Sequence, residues 1–455
     1  MNTIQIHQQE VICALATPSG VGAIAIIRVS GLGCIAIVNT IFKGKNLENV
    51  ETHTAHFGTI QSKTEIIDEV LVTVFKTPKS FTKEDSVEIS CHGSDYIIRQ
   101  ILKLLIQNGA RIAKPGEFTQ RAFLNGQFDL VQAEAVADLI AADSEASHKT
   151  ALNQLRGGFS KKLTSLRTEL IHFASLIELE LDFGEEDVEF AGRDDLRNLI
   201  ETLQETIAPL IESFDYGNAI KDGVPVAIIG SPNVGKSTLL NALLNEEKAI
   251  VTSVAGTTRD VIEDTIVLEG LKFRFIDTAG IRETTDLVES IGIERSKGAM
   301  EKADVVIFLF DSEDTFLENQ QLALLLSSDK EILWVFNKTD LHPEIAEKLS
   351  QEHNNIISIS AQKQEGLQIL TQRLVALVHK QSATDTVVTN LRHYEHLLKT
   401  QDALTDVLNG LATGITGDFL AQDIRLSLHH LGEITGTIVT DDLLDNIFSK
   451  FCIGK

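Results

Sequence analysis

Residues 224–244 read VPVAIIGSPNVGKSTLLNALL, and the order of textures in that stretch decides how the middle of the chain folds. A short β-branched run, VPVAII, enters the octet GSPNVGKS at 230–237, which matches G-x-x-x-x-G-K-S, and a helical pattern, TLLNALLN, follows at once. Strand, glycine-bearing loop and helix in that order make a phosphate site. The glycines let backbone N–H groups wrap the phosphates, Lys236 reaches the β- and γ-phosphates, and the Ser237 hydroxyl ligates magnesium. Asn233, Val234, Gly235 and Thr238 complete the run expected to meet the nucleotide.

Downstream, apolar strands (FRFIDTAG, DVVIFLFD, EILWVFNKTD, NIISIS) alternate with helical segments, the pattern of a parallel sheet covered by helices. The strand ends carry chemistry. DTAG supplies Asp277 to assist magnesium and Gly280 to offer an N–H to the γ-phosphate, with Thr278 and Ala279 between them. In NKTD, Asn337 and Lys338 shape a base pocket. The Asp340 carboxylate accepts from guanine N1–H and its exocyclic amine, a donor pair adenine lacks, so GTP is expected rather than ATP. Ser360 and Ala361 of SAQ supply a last loop near the base. VTSVAGTTRD at 251–260 lies where a first switch belongs, with Thr258 as a second hydroxyl ligand to magnesium. Ras-like enzymes orient water with a glutamine just after this DTAG position, but here the residue is Ile281, so catalytic help must come from a cation, a later side chain or a partner. Glu283 and Glu289 are both acids able to hold a water; a solvated helix face is the other reading of either.

On either side the texture changes. Residues 1–120 mix β-branched runs (AIAIIRVSG, EVLVTVF, SVEIS) with one helical stretch, DYIIRQILKLLIQNG, an α+β pattern. Residues 121–218 and 381–455 are helical, with apolar residues every three or four positions, and they flank the α/β segment at 219–380. The economical arrangement packs the two helical flanks together with the α/β unit inserted between them. A chain of 455 residues is long enough for two or three domains, and a formal net charge of −25 argues against a generally basic nucleic-acid-binding surface while leaving room for a local patch or a basic partner. Four scattered cysteines with no paired spacing fit a reduced, cytoplasmic setting, and no signal peptide or membrane span is indicated. In CHG at 91–93 neighbouring residues face opposite sides of a strand, which argues against a metal there.

GSPNVGKSTLLNALL, VAGTTRDVIED, DTAGIRET and VESIGIERS together resemble the MnmE (TrmE) family of tRNA-modification GTPases, and the terminal FCIGK matches that family's ending. LATPSGVGAIAIIRVSG, SFTKEDSVEISCHGS and KPGEFTQRAFLNGQFDLVQAEAVADLI are similar to it too, so the resemblance runs the length of the chain. It implies a folate-binding, dimerising α+β domain at 1–120, an all-α helical domain built from 121–218 and 381–455, and an inserted P-loop G domain at 219–380. It further implies a homodimer that joins the flavoprotein MnmG, which carries FAD, in a heterotetramer. Acting on tRNA, the pair would add an aminomethyl or carboxymethylaminomethyl group at C5 of the wobble uridine, U34, with one carbon from 5-formyl- or methylene-tetrahydrofolate. By the same resemblance, potassium is held by Asn233, Thr252, Val254 and Thr257, while Ser253, Ala255 and Gly256 belong to the same nucleotide-facing loop. Glu289 falls on the water-positioning glutamate. Arg28, Glu88 and Lys455 fall on folate positions, and Gln127 stands where relatives usually carry a basic residue, which implies weaker hold on the glutamate tail. Without the family, Arg28 and Glu88 read as a surface charge and a strand-face charge. Cys452 would sit beside the one-carbon unit, as nucleophile, acid/base or packing.

Two other readings compete. A GTP-switched ribosome-assembly factor shares the NVGKST and DTAG style, but such proteins append an RNA-binding domain or a second G domain, and the chain has no second phosphate loop. A lipid-anchored switch would use Cys452, but CIGK puts glycine and lysine where a C-a-a-X box wants aliphatic and small residues.

Overall fold

In the computed structural model the residues described are 10–182, 192–244, 264–276, 297–327, 330–353, 355–379 and 387–454. The chain forms two compact units, one of Met1–Ile140, Asn153–Phe190 and Gly417–Lys455, the other of Ala141–Leu152 and Ala191–Thr416.

The first unit is built on a seven-stranded sheet of β1 (Ile12–Leu15), β2 (Gly22–Ser30), β3 (Phe42–Lys43), β4 (Thr54–Gln61), β5 (Ile66–Phe75), β6 (Ser86–Gly93) and β7 (Arg111–Ile112), in the order β3-β4-β5-β6-β2-β1-β7. Every pairing is antiparallel except β1 with β7. Antiparallel sheets need cover on one face only, and β5 shows it: Val70, Val72 and Val74 are buried while the alternating Glu69 and Leu71 are exposed. The helices Cys34–Ile41 and Asp95–Gln107 lay Val38, Ile41, Ile98, Ile101 and Leu105 on that apolar face. Each such side chain contributes about 1.5–3 kcal/mol on burial. Cys91 is buried on this face and the neighbouring His92 points out to Asp68, as strand alternation requires. The helix Gly158–Asp182 pairs with Gly417–Thr435, bringing together segments from both sides of the α/β region.

The second unit holds a six-stranded sheet of β8 (Val224–Ile229), β9 (Asp264–Leu268), β10 (Leu271–Phe275), β11 (Val305–Phe310), β12 (Glu331–Phe336) and β13 (Ile356–Ser358), ordered β13-β12-β11-β8-β10-β9. It is parallel apart from the β9–β10 hairpin. The central strand β11, VVIFLF, is buried at all six positions, which is why it reads as an unbroken apolar run. Helices Arg193–Glu212 and Leu391–Thr413 pair in this unit, again from the two flanks, and Phe214 stacks on Tyr394 at 4.3 Å between ring centroids. Each unit thus contains a helix pair drawn from both sides of the α/β segment, and the six-stranded, mainly parallel sheet gives the second unit a G-domain-like α/β fold.

Candidate functional site

The phosphate loop spans 230–235, between β8 and the helix Lys236–Leu244, as its sequence dictates. The buried strand fixes one end of the loop, and Leu239 and Leu240, fully buried, fix the helix. Asn233 has φ 62° and Gly235 φ 101°, so the loop turns its N–H groups inward through backbone that side chains rarely adopt. Gly235 is required twice over, since a Cβ there would also run into the Asn337 amide nitrogen. Lys236 lies over the loop, its Nζ donating to the carbonyls of Gly230 (2.6 Å) and Ser231 (2.9 Å), and burial lowers its pKa. Ser231 donates in turn to Glu318 at 2.6 Å. The Asn233 side chain is exposed and makes no hydrogen bond among the described residues, leaving its amide oxygen available to a cation.

The base-side loops meet this one through a single buried side chain. Asn337, 2% exposed, donates from Nδ2 to the Val234 carbonyl (2.8 Å) and accepts at Oδ1 from the Ala361 N–H (3.0 Å). It thus joins phosphate loop, NKTD and SAQ, and its part is to tie loops together more than to line a pocket. Lys338, at φ 64°, sends its ammonium to Asp311 at 2.6 Å. The half-buried Asp340 accepts from the Ser360 hydroxyl at 2.7 Å, a bond that holds its pKa below the ordinary aspartate value and keeps it an acceptor for paired N–H donors. Val234 lies in the phosphate loop, Ser237 and Thr238 in the first turn of the helix Lys236–Leu244, and Ser360 and Ala361 just after β13. Thr252, Ser253, Val254, Ala255, Gly256, Thr257, Thr258, Asp277, Thr278, Ala279, Gly280, Ile281, Glu283, Glu289 and Lys455 lie outside the described residues.

In the first unit Arg28 and Glu88 sit directly opposite each other on β2 and β6. Arg28 donates from Nε (3.0 Å) and Nη2 (2.9 Å) to the same Glu88 oxygen. The guanidinium lies over two rings, Phe81 at 5.4 Å and Phe118 at 5.7 Å, a cation–π arrangement that the sequence reading missed. The other Glu88 oxygen has no partner among the described residues. Beside it runs a second feature the sequence reading missed, a charge network buried at Arg121 and Glu117 and open at Glu10. Arg121, 2% exposed, donates to Glu84 (3.2 Å) and Glu117 (3.1 Å), and Arg111 joins Glu117 and Glu10 at 2.5 Å each. Burial works to raise the Glu117 pKa, yet the hydrogen bonds from Arg111 and the Lys114 N–H and the two nearby cations hold it below the ordinary glutamate value. The Glu117 to Arg121 spacing of four on a helix was the available signal.

The chain's end closes over the same region. Phe448 and Phe451 pack with Phe123 and Phe128, the Gly116 N–H donates to the Cys452 carbonyl at 3.4 Å, and Gly454, at φ 95°, lies so close to Leu15 that a Cβ would strike its carbonyl oxygen. Leu15 is on β1, paired with Ile27 next to Arg28. Cys452 is exposed, whereas Cys13, Cys34 and Cys91 are buried. Gln127 is exposed, its backbone N–H donating to Ala122.

Two family models fit the chain: the MnmE helical domain over residues 130–452 and the GTP-binding protein TrmE N-terminus over 11–127. The chain is similar to the tRNA modification GTPase MnmE of Cytophaga hutchinsonii, 56% identical over 457 residues, covering 100% of this chain and 99% of that protein. It is also similar to those of Bacteroides fragilis strain YCH46, 53% identical with 98% and 100% covered, and Flavobacterium johnsoniae, 52% identical with 98% and 99% covered.

Proposed function

The chain belongs to the MnmE family of tRNA modification GTPases, and from that premise we propose that it is a potassium-stimulated GTP hydrolase acting with the flavoprotein MnmG. Together they add an aminomethyl or carboxymethylaminomethyl group at C5 of the wobble uridine U34 of certain tRNAs, with a tetrahydrofolate one-carbon unit. The observation that carries this reading is the presence in one chain of two unlike sites. One is a phosphate loop with its guanine-side acid, Asp340, bonded to Ser360; the other is the Arg28–Glu88 pair, its guanidinium against the Phe81 and Phe118 rings, near the carboxyl-terminal tail.

The protein's own groups divide the work. Loop N–H groups and Lys236 hold the phosphates, Ser237 and Thr258 hold magnesium, and Asp340 selects guanine. The exposed amide of Asn233 fits a monovalent cation, with Thr252, Val254 and Thr257 completing its shell. When bound, that cation neutralises charge growing at the β–γ bridge, the part an arginine plays in other GTPases. Glu289 orients the attacking water in place of the glutamine that Ile281 replaces. At the other site, the free Glu88 oxygen of the half-buried Arg28 pair fits a heterocycle with adjacent N–H donors, and Lys455 is proposed as a further folate contact. Homodimer formation through 1–120, cytoplasmic location, and the division into 1–120, 121–218, 219–380 and 381–455 belong to the same proposal.

The GTP half is tested by replacing potassium with sodium. Turnover should fall by at least about tenfold, whereas equal rates would remove the cation from the account. Glu289→Ala should bind GTP normally and hydrolyse it about 100-fold more slowly; unchanged turnover would move the role elsewhere.

A further inference from the structure

Lys83 lies in the turn before β6, in the half-buried stretch Phe81–Asp85, and its backbone has φ 56°. Lysine rarely occupies left-handed backbone, and glycine would relieve the strain, so the side chain has to earn its place. Its ammonium donates to the Gly126 carbonyl at 2.5 Å, at the loop that carries Gln127. It has no acidic partner among the described residues, although Glu84 and Asp85 follow it immediately. Those acids are committed: Glu84 accepts from Arg121 and Ser30, and Asp85 from the Thr77 N–H. The arginines around the cluster are paired as well, Arg28 with Glu88, Arg111 with Glu117 and Glu10, and Arg121 with Glu117 and Glu84.

Three consecutive residues therefore reach three parts of one site. The Phe81 ring lies against Arg28 and 5.8 Å from the Phe128 ring, Thr82 is hydrogen-bonded to Ser30 at 2.7 Å, and Lys83 stands at Gly126 with two N–H donors left over. The contacts run from the unpartnered Glu88 oxygen through Arg28 to the Phe81 and Phe128 rings, and Lys83, a cation with no acidic partner among the described residues, stands at Gly126, two residues before Phe128. A reduced folate has those parts in that order: pterin, benzoyl ring, glutamyl carboxylates. We propose that Lys83 is the residue that receives the γ-linked glutamate tail of the folate, supplying a charge that the neutral side chain of Gln127 does not. This rests on the folate reading above and goes beyond it by assigning the tail's cation.

The test is titration of the full-length protein with three probes: triglutamyl 5-formyltetrahydrofolate, its monoglutamate, and a tetrahydropterin without the tail. Lys83→Gly suits the positive φ, so the fold is retained and thermal stability should hold or rise. Its affinity for the triglutamate should fall by about tenfold, the loss expected for one charge-assisted hydrogen bond, with a smaller loss for the monoglutamate and none for the pterin. Lys83→Arg should keep the tail affinity, and Gln127→Lys added to Lys83→Gly should restore it. Unchanged triglutamate affinity in Lys83→Gly, with the parent protein binding normally, overturns the assignment. An equal loss with all three probes also overturns it, by making Lys83 a structural strut. If the parent protein binds none of the probes, the folate reading fails and the inference with it.

Discussion

The phosphate loop and the Arg28 cluster reach a binding surface by opposite means. In the loop, one contiguous octet does the work mostly with backbone, and the side chains that matter are there to hold loops together: Asn337 bonds Val234 and Ala361 across two other motifs. In the cluster nothing is contiguous. Glu10, Arg28, Glu84, Glu88, Arg111, Glu117, Arg121 and the residues around Cys452 come from distant parts of the chain, and side-chain charge carries the structure. Backbone sites tolerate little at the glycines and much elsewhere, whereas charge networks fail when any one partner is removed.

That contrast can be broken first at Gly235. Gly235→Ala puts a methyl against the Asn337 amide at a φ of 101°, so GTP affinity should drop by at least roughly 100-fold in a fluorescent-nucleotide titration. Nearly normal binding would mean the loop is not set by backbone. In the cluster, Arg121→Met leaves Glu117 and Glu84 without their shared partner and should cost about 3 kcal/mol in urea unfolding. Adding Glu117→Gln to it should recover part of that loss. If Arg121→Met is neutral, the buried charges are not what holds this region.

The pH dependence follows from the same residue. Because the Glu117 pKa is depressed in the folded chain, its stabilisation is complete above the unfolded value of about 4.3 and is lost as pH falls through the lower folded value. Acid unfolding of the parent chain should therefore steepen below about pH 4.3, and Glu117→Gln should flatten that limb. Thiol reactivity offers a milder comparison. Burial pushes the Cys13 and Cys91 thiols up to about 11 and Cys34 higher still, with Asp85 and Glu84 adding to the rise, while Cys452 is exposed. Iodoacetamide at pH 8 should label Cys452 alone in the native protein. The smallest effect belongs to Lys348→Ala, which removes an exposed pair with Glu313 and should leave the melting temperature unchanged.

How much could be read beforehand tracks the same divide. The octet, NKTD and SAQ were legible because backbone motifs are written in consecutive residues, and the unbroken apolar run of β11 announced a buried parallel strand. The helical flanks were legible from their periodicity and their pairing from the economy of flanks that surround one α/β segment; Gly158–Asp182 pairs with Gly417–Thr435, and Arg193–Glu212 with Leu391–Thr413. The Arg28 cation–π contacts were not legible, since nothing local says that Phe81 and Phe118 converge on one guanidinium. Arg28 and Glu88 were placed only by family likeness, and read alone they passed for unrelated charges. The register Arg28↔Glu88 across β2 and β6 is what joins them.

The central claim is that one chain couples GTP hydrolysis to wobble-uridine modification. Its most direct test is nucleoside mass spectrometry of tRNA from cells lacking this protein, complemented with the parent gene or with Lys236→Ala. The account predicts that the C5-modified wobble uridine disappears on deletion, returns with the parent and does not return with Lys236→Ala. Intact modification in the deletion strain would contradict it.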